Sequence, residues 1–233
     1  MSTARVKCRV LVDFDGTIAP IDTTDLLLET FAEPEWRAIE NDWKAGRIGS
    51  RECLVRQIDL VRASPAEFDA FIDALEIDPG FARFVNLAQG LGHAVAIVSD
   101  GLDRTIRSVL ERHGIDVAYF ANRLEWRGGD RWRLTFPHAK SDCASLSGNC
   151  KCAFAEGEPR QLKILVGDGR SDFCLAGRAD LVLAKNSLLK HCRAAALPHI
   201  AFDNFDHASA LLAGWLAERI AAPSASARAP KIE

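Results

Sequence analysis

Apolar residues in this chain follow two rhythms: short unbroken runs of strand length, and longer stretches in which they recur every three or four positions. The runs at 6–12, 93–98, 162–166 and 180–184 predict β-strands. The stretches between them predict helices at 22–31, 35–44, 51–62, 65–75 and 102–113, with a last one at 205–220. Leu54, Ile58 and Val61 give the third helix an apolar stripe. Ser64, Pro65 and Glu67 supply the fourth with an N-cap, a first-turn proline and a capping-box acid. Gly114 stops the helix at 102–113, and Gly128-Gly129-Asp130 turns a hairpin between 123–126 and 131–136. Strands spaced among helices in this way predict an α/β fold, Rossmann-like, with a mainly parallel sheet and helices on both faces. The interval of about 80 residues between the first and second strands is too long for one crossover, so it implies an inserted small helical subdomain. The expected division is a core of residues 1–18 and 79–221, a helical insertion at 19–78, and a small-residue tail at 222–233 that buries too little to order itself.

Composition narrows the function. A hydrophobic content of 48% suffices for a buried core, and 29 basic against 32 acidic residues leave a net charge of -3. No global positive field is available to hold a nucleic-acid backbone, and the arginine-rich stretch 123–133 reads as a solvated hairpin. No apolar run reaches the roughly 20 residues of a membrane span, and the N-terminus lacks the apolar core of a secretion signal, so a cytoplasmic location is expected. Among the seven cysteines, Cys8, Cys53, Cys174 and Cys192 fall in predicted elements and read as buried thiols. Cys143, Cys150 and Cys152 share one polar loop after His138, where a zinc clip, a redox pair and reduced thiols packing the loop are all open readings. The C-x-C spacing is a poor match to zinc sites.

Chemistry concentrates where strands end. The first strand runs into Asp13-Phe14-Asp15-Gly16-Thr17, which puts two carboxylates on one side of the C-terminal sheet edge, the edge at which α/β sheets bind ligands. This is the layout of an aspartate nucleophile with an acid/base partner; the plainer alternative is a pair of turn caps. Ser99, Asp100 and Gly101 end the second strand, where a hydroxyl and adjacent N–H groups can hold a phosphoryl oxygen. Asp168 and Asp172 end the third. Carboxylates converging on one crevice call for a divalent cation, and an all-oxygen donor set without histidine favours Mg²⁺ over zinc. A phosphoryl site also wants a fixed positive charge. Lys163 starts its strand, roughly 16 Å from the catalytic edge at about 3.3 Å per residue, so Lys151 is the better candidate, set against the reading of a solvated lysine at a helix start.

Taken in order, D-F-D-G-T at 13–17, S-D-G at 99–101, Lys151 and G-D-G-x-S-D at 167–172 resemble the haloacid dehalogenase superfamily of aspartyl-phosphate phosphatases across nearly the whole chain. The helical insertion after the first motif is similar to the cap of the phosphoserine phosphatase branch. Asn149-Cys-Lys-Cys152 and the segment 179–185 resemble the methionine-salvage phosphatases of that branch. The resemblance implies that Asp13 is the nucleophile and Asp15 the acid and base, while Ser99, the backbone around Asp100 and Gly101, and Lys151 hold the phosphoryl oxygens. It further implies Mg²⁺ on Asp13, the Asp15 carbonyl and Asp168, with Asp172 in support, and a small phosphorylated metabolite as substrate. Asp22 stands where phosphoserine phosphatases carry a glutamate, and Asp100 where the branch more often has a second glycine. The cap would choose the leaving group through Trp43, Arg47, Arg51 and Glu52; the competing reading makes Trp36 and Trp43 an apolar stripe and the charges mere surface. Phosphoserine phosphatase-like activity, transfer to an alcohol, and a non-catalytic phospho-ligand sensor are the alternatives. Apolar surface on the cap would support a homodimer.

Overall fold

In the computed structural model, residues 7–143, 145–156 and 161–221 are described; the small-residue tail expected at 222–233 lies outside them. Seven strands form one sheet in the order β4-β3-β2-β1-β5-β6-β7: β1 (Cys8–Val12), β2 (Ala94–Leu102), β3 (Ala118–Gly128), β4 (Arg131–Thr135), β5 (Leu162–Gly167), β6 (Leu181–Ala184) and β7 (His199–Ala201). Every pairing is parallel except the β3–β4 hairpin. The alternation of β1 dictates its burial on both sides. Val10 and Val12 join one core cluster and Leu11 the other, as a period of two requires.

Four helices follow β1: α1 (Thr23–Phe31), α2 (Trp36–Lys44), α3 (Ser50–Ile58) and α4 (Pro65–Asp73). The capping box of α4 forms as expected, with the Glu67 N–H donating to Ser64 Oγ and the Ser64 N–H donating to the Glu67 carboxylate at 2.8 Å. The helix α3 ends at Ile58, short of the expected 62. Next come α5 (Phe81–Gly90), and α6 (Asp103–His113), which ends in left-handed Gly114 at φ 60°. After β5 follow the one-turn α7 (Phe173–Ala176), α8 (Asn186–Ala194) and α9 (Phe205–Ala221).

The helix α5, the strand β7 and the first half of β3 were not anticipated. Each is short or weakly periodic, and its packing partner is remote in sequence. Phe81 and Phe84 of α5 stack edge-on against Phe205 of α9 at 4.9 and 5.2 Å. Residues 118–122, ahead of the expected hairpin, pair in parallel with β2.

Candidate active site

The strand β1 lies between β2 and β5, with Val12 opposite Ile97 on one side and Val166 on the other. The residues just beyond this register therefore share one sheet edge, which brings together Asp13, Ser99 and Asp168. Such a crevice, flanked by strands whose connections run in opposite directions, is the usual ligand site of an open α/β sheet.

At its centre is a buried charge cluster. Lys151 Nζ lies 2.7 Å from Asp13 Oδ2 and 2.7 Å from Asp172 Oδ1, and Lys151 is 1% exposed. A 3₁₀ turn at Lys151–Ala155 carries it, in place of the expected helix. Burial works against the ammonium, but Asp13 and Asp172 outweigh it and hold Lys151 above its ordinary pKa. Asp13 is fixed from its own backbone: its N–H donates to the Val166 carbonyl at 2.9 Å, and its Oδ1 accepts the Phe14 N–H at 2.8 Å. Asp172 Oδ2 accepts the N–H groups of Asp168 and Gly169, each at 3.2 Å. Asp168 in turn accepts hydrogen bonds from Thr17 Oγ1 at 3.1 Å and Asn186 Nδ2 at 3.2 Å.

Oxygen atoms of Asp13, Asp168 and Asp172 lie within 4.8 Å of one another. Three carboxylates facing one ammonium leave surplus negative charge. Burial, followed by the proximity of Asp172, consequently lifts the Asp13 carboxyl well above the usual range, with Lys151 offsetting only part. Asp168 is raised as well, chiefly by burial. Hard oxygen donors and surplus charge are what a divalent cation such as Mg²⁺ neutralises, so this donor set fits one.

Asp15 faces the same crevice. Its Oδ1 accepts the Thr23 N–H at 2.9 Å and Thr23 Oγ1 at 2.5 Å, so the first residue of α1 orients it. Burial, then the charge of Asp22, raises its carboxyl to about 7. Two glycines are required here. Gly16 sits at φ +69°, where an added Cβ would come 2.5 Å from Asp168 Oδ2, and a Cβ on Gly101 would run into the Asp15 carboxylate. Ser99 is buried, and its Oγ accepts the Gly101 N–H at 2.9 Å.

A cavity of about 360 Å³ opens above these groups. Asp13, Asp15, Ser99, Asp100, Gly101 and Asp168 line its floor, and Asp22, Asp25, Glu40, Trp43, Ser50, Cys53, Leu54 and Gln57 from α1–α3 and the turn before α1 line the opposite wall. Of the expected cap residues, Asp22 and Trp43 reach the cavity, while Arg47 and Arg51 are not among its described lining. Arg47 pairs with Asp42 at 2.7 Å on the surface. Arg51 donates to the carbonyls of Lys140 and Ser147, pinning α3 to the polar loop. Glu52 pairs with Arg56 on an exposed helix face. Trp36 and Trp43 part company: the first is in the core, and the second meets the cavity under the guanidinium of Arg170, 5.8 Å from the ring centroid.

The Asp100 carboxylate is engaged by Ser50 Oγ, by Asn122 Nδ2 at 3.1 Å and by the Asn149 N–H at 2.8 Å. It therefore joins α3, β3 and the polar loop. Sequence reasoning missed Thr17, Thr23, Asn149 and Asn186 as supports. Asn149, whose Nδ2 donates to the carbonyls of Ser99 and Phe120 at 2.8 Å each, could have been suspected from its place two residues before Lys151.

The profile of the haloacid dehalogenase-like hydrolases matches residues 10–177 of this chain. A 2-hydroxy-3-keto-5-methylthiopentenyl-1-phosphate phosphatase from Exiguobacterium sp. strain AT1b is 31% identical over 214 residues, covering 90% of this chain and 99% of that protein. Its counterpart from Geobacillus kaustophilus is 32% identical, covering 83% and 90%. Among solved structures, a substrate-bound phosphoserine phosphatase complex superposes with TM-score 0.65 at 21% identity, covering 89% of this chain and 98% of that one. A phospho-aspartyl intermediate analogue of phosphoserine phosphatase gives 0.61 at 24%, covering 79% and 90%. The last two speak for the fold.

Proposed function

Because the chain belongs to the haloacid dehalogenase-like hydrolase family, we propose that it is a Mg²⁺-dependent phosphomonoesterase whose substrate is 2-hydroxy-3-keto-5-methylthiopentenyl-1-phosphate. The observation that carries the phosphomonoesterase reading is the buried Lys151 between Asp13 and Asp172, with Asp15 across the crevice. In this reading Asp13 attacks phosphorus in line and becomes the aspartyl-phosphate, splitting one hard displacement into two. Lys151 steadies the Asp13 carboxylate for that attack. Asp15 protonates the leaving oxygen and then takes a proton from the attacking water, a pair of roles suited to a carboxyl near 7. Ser99 and the backbone at Asp100 and Gly101 receive the non-bridging oxygens. Mg²⁺ would be held by Asp13, the Asp15 carbonyl and Asp168, with Asp172 in support. When bound it supplies the positive charge that offsets the phosphoryl oxygens.

Residues 19–78 act as the cap in this assignment, and 1–18 with 79–221 as the core. The choice of leaving group rests on the cap wall. Its ionisable side chains are acidic, namely Asp22, Asp25 and Glu40, and among the described lining residues Arg170, from the core, is the sole cation. The carboxylate of an amino-acid ester such as phosphoserine would find no cation on that wall. A thioether tail would find Trp43, Leu54 and Cys53. The related methylthiopentenyl-phosphate phosphatases point the same way.

The deciding experiment is phosphate release from the methylthiopentenyl enol-phosphate, phosphoserine and other small esters, with and without Mg²⁺, using Asp13→Asn as control. Preference for the enol-phosphate, lost on chelation and in the variant, supports the whole reading. Preference for phosphoserine overturns the substrate, and turnover insensitive to chelation overturns the metal. Glycerol added to the assay separates hydrolysis from transfer, since a phosphotransferase would form glycerol phosphate.

A further inference from the structure

Of the three carboxylates whose oxygens lie within 4.8 Å of one another, Asp13 and Asp172 are buried and Asp168 is half-buried. The Lys151 ammonium bonds the two buried ones at 2.7 Å each. Like charges at this range repel, so Asp168 is the member with both a reason and the room to swing out into the cavity. Two neutral donors hold it in, one on each oxygen. Thr17 Oγ1 donates to Oδ1 at 3.1 Å, and Asn186 Nδ2 donates to Oδ2 at 3.2 Å.

The local fold brings Asn186 there. The strands β5 and β6 pair in parallel as far as Gly167 opposite Ala184, and the Lys185 N–H then donates to the Gly167 carbonyl at 3.0 Å. Beyond that point the chain turns over Asp168 into α8. Asn186 makes the turn at φ +46°, in the left-handed region that asparagine enters more readily than most residues with a side chain. Ser187 Oγ and the Leu188 N–H follow, donating to the Asp168 carbonyl at 3.2 and 2.9 Å. Three consecutive residues therefore grip one aspartate, two of them by its backbone and Asn186 by its carboxylate. The turn by itself would be served better by glycine. What glycine lacks is the amide that reaches Oδ2.

We propose that Asn186 is a positioning residue that sets the affinity of the crevice for its divalent cation, by holding the Asp168 carboxylate beside Asp13 and Asp172 before the cation arrives; the inference rests on the reading of Asp168 as a cation ligand. A donor set already gathered binds without the cost of drawing its third carboxylate in against repulsion. Hydrogen-bond partners of metal-binding carboxylates are worth roughly 10- to 100-fold in affinity. Stability should respond in the other direction. In the ion-free chain Asn186 holds like charges together, so its loss lets Asp168 relax outward and costs the fold little.

The test is Asn186→Gly in the full chain, which keeps the left-handed turn and removes only the amide. Magnesium chloride is titrated into wild type and variant by calorimetry, and both are melted with and without Mg²⁺. The expected result is an affinity weaker by roughly 10- to 100-fold, an ion-free Tm no lower than that of wild type, and a smaller rise in Tm on adding Mg²⁺. Phosphate release should need correspondingly more Mg²⁺ and recover when the ion is in excess. Ser187→Ala, which leaves the carboxylate bonds and the Leu188 N–H in place, should keep the affinity within about twofold. Unchanged affinity in Asn186→Gly overturns the proposal, as does a lowered ion-free Tm, which would make the role structural, or a rate that excess Mg²⁺ fails to restore. Wild type that binds no Mg²⁺ would sink the cation reading of Asp168 itself, and the calorimetry decides the matter even if no ester is turned over.

Discussion

On the floor of the cavity, Asp13, Lys151 and Asp172 are each at most 5% exposed and tied to backbone or to one another, whereas Trp43 and Asp25 on the facing wall are partly exposed and stand on nine-residue helices. The floor gets its geometry from strand register: once Val12 pairs with Ile97 and Val166, the positions of Asp13 and Asp168 follow. The wall gets its geometry from helix packing and from a few tethers, such as Ser50 to Asp100 and Arg51 to the polar loop. Buried paired charges cannot be exchanged cheaply, since removing one strands the others. A wall of mixed polar and apolar side chains can change without that cost. On the function proposed above, the chemistry belongs to the floor and selectivity to the wall.

The strongest way to break the contrast is Asp13→Asn, expected to lower phosphate release by about 10³-fold or more with the fold intact by circular dichroism. Retained turnover would move the nucleophile elsewhere. Next is Lys151→Met, which leaves Asp13 and Asp172 buried without a counter-charge. Urea unfolding should show a loss of about 3–5 kcal/mol, and a loss under about 1 kcal/mol would mean the cluster is not held by its charges.

On the wall, effects should be smaller and confined to binding. Trp43→Ala is expected to raise KM for the preferred ester about tenfold, or roughly 1.4 kcal/mol, with kcat changed much less; a collapse of kcat would erase the division of labour. Arg47→Ala, removing an exposed pair with Asp42, should leave both constants within about twofold. Between wall and stability lies Asp25, whose carboxyl is raised from 3.8 to about 7, first by burial and then by Asp22. The folded chain keeps a proton there that the unfolded chain gives up. This contribution is complete below 3.8 and lost as pH rises through about 7. Thermal melts should show Asp25→Asn flattening that decline and raising Tm at pH 8 by roughly 2–4 °C; a parallel decline in wild type and variant would assign the pH dependence to other groups.

The sequence by itself determined the elements whose signals are local: the strand ends at Asp13 and Asp168, the capping box at Ser64, the left-handed stop at Gly114, and the helical insertion as a gap in the strand pattern, while the second strand, expected to end before Ser99, runs on to Leu102 through a register shift after Val98. These follow from periodicity, turn chemistry and the rule that carboxylates at a sheet edge need a counter-charge. It also singled out Lys151, by eliminating Lys163 on strand length. Tertiary structure alone decided which side chains complete the site. Thr23, Thr17, Asn149 and Asn186 carry no local mark of their partners, because each meets a residue brought to it by sheet order. The division between Trp36 and Trp43, and between Asp22 and Arg51, was likewise invisible: helical spacing gives a face, but what that face meets depends on packing between segments far apart in the chain.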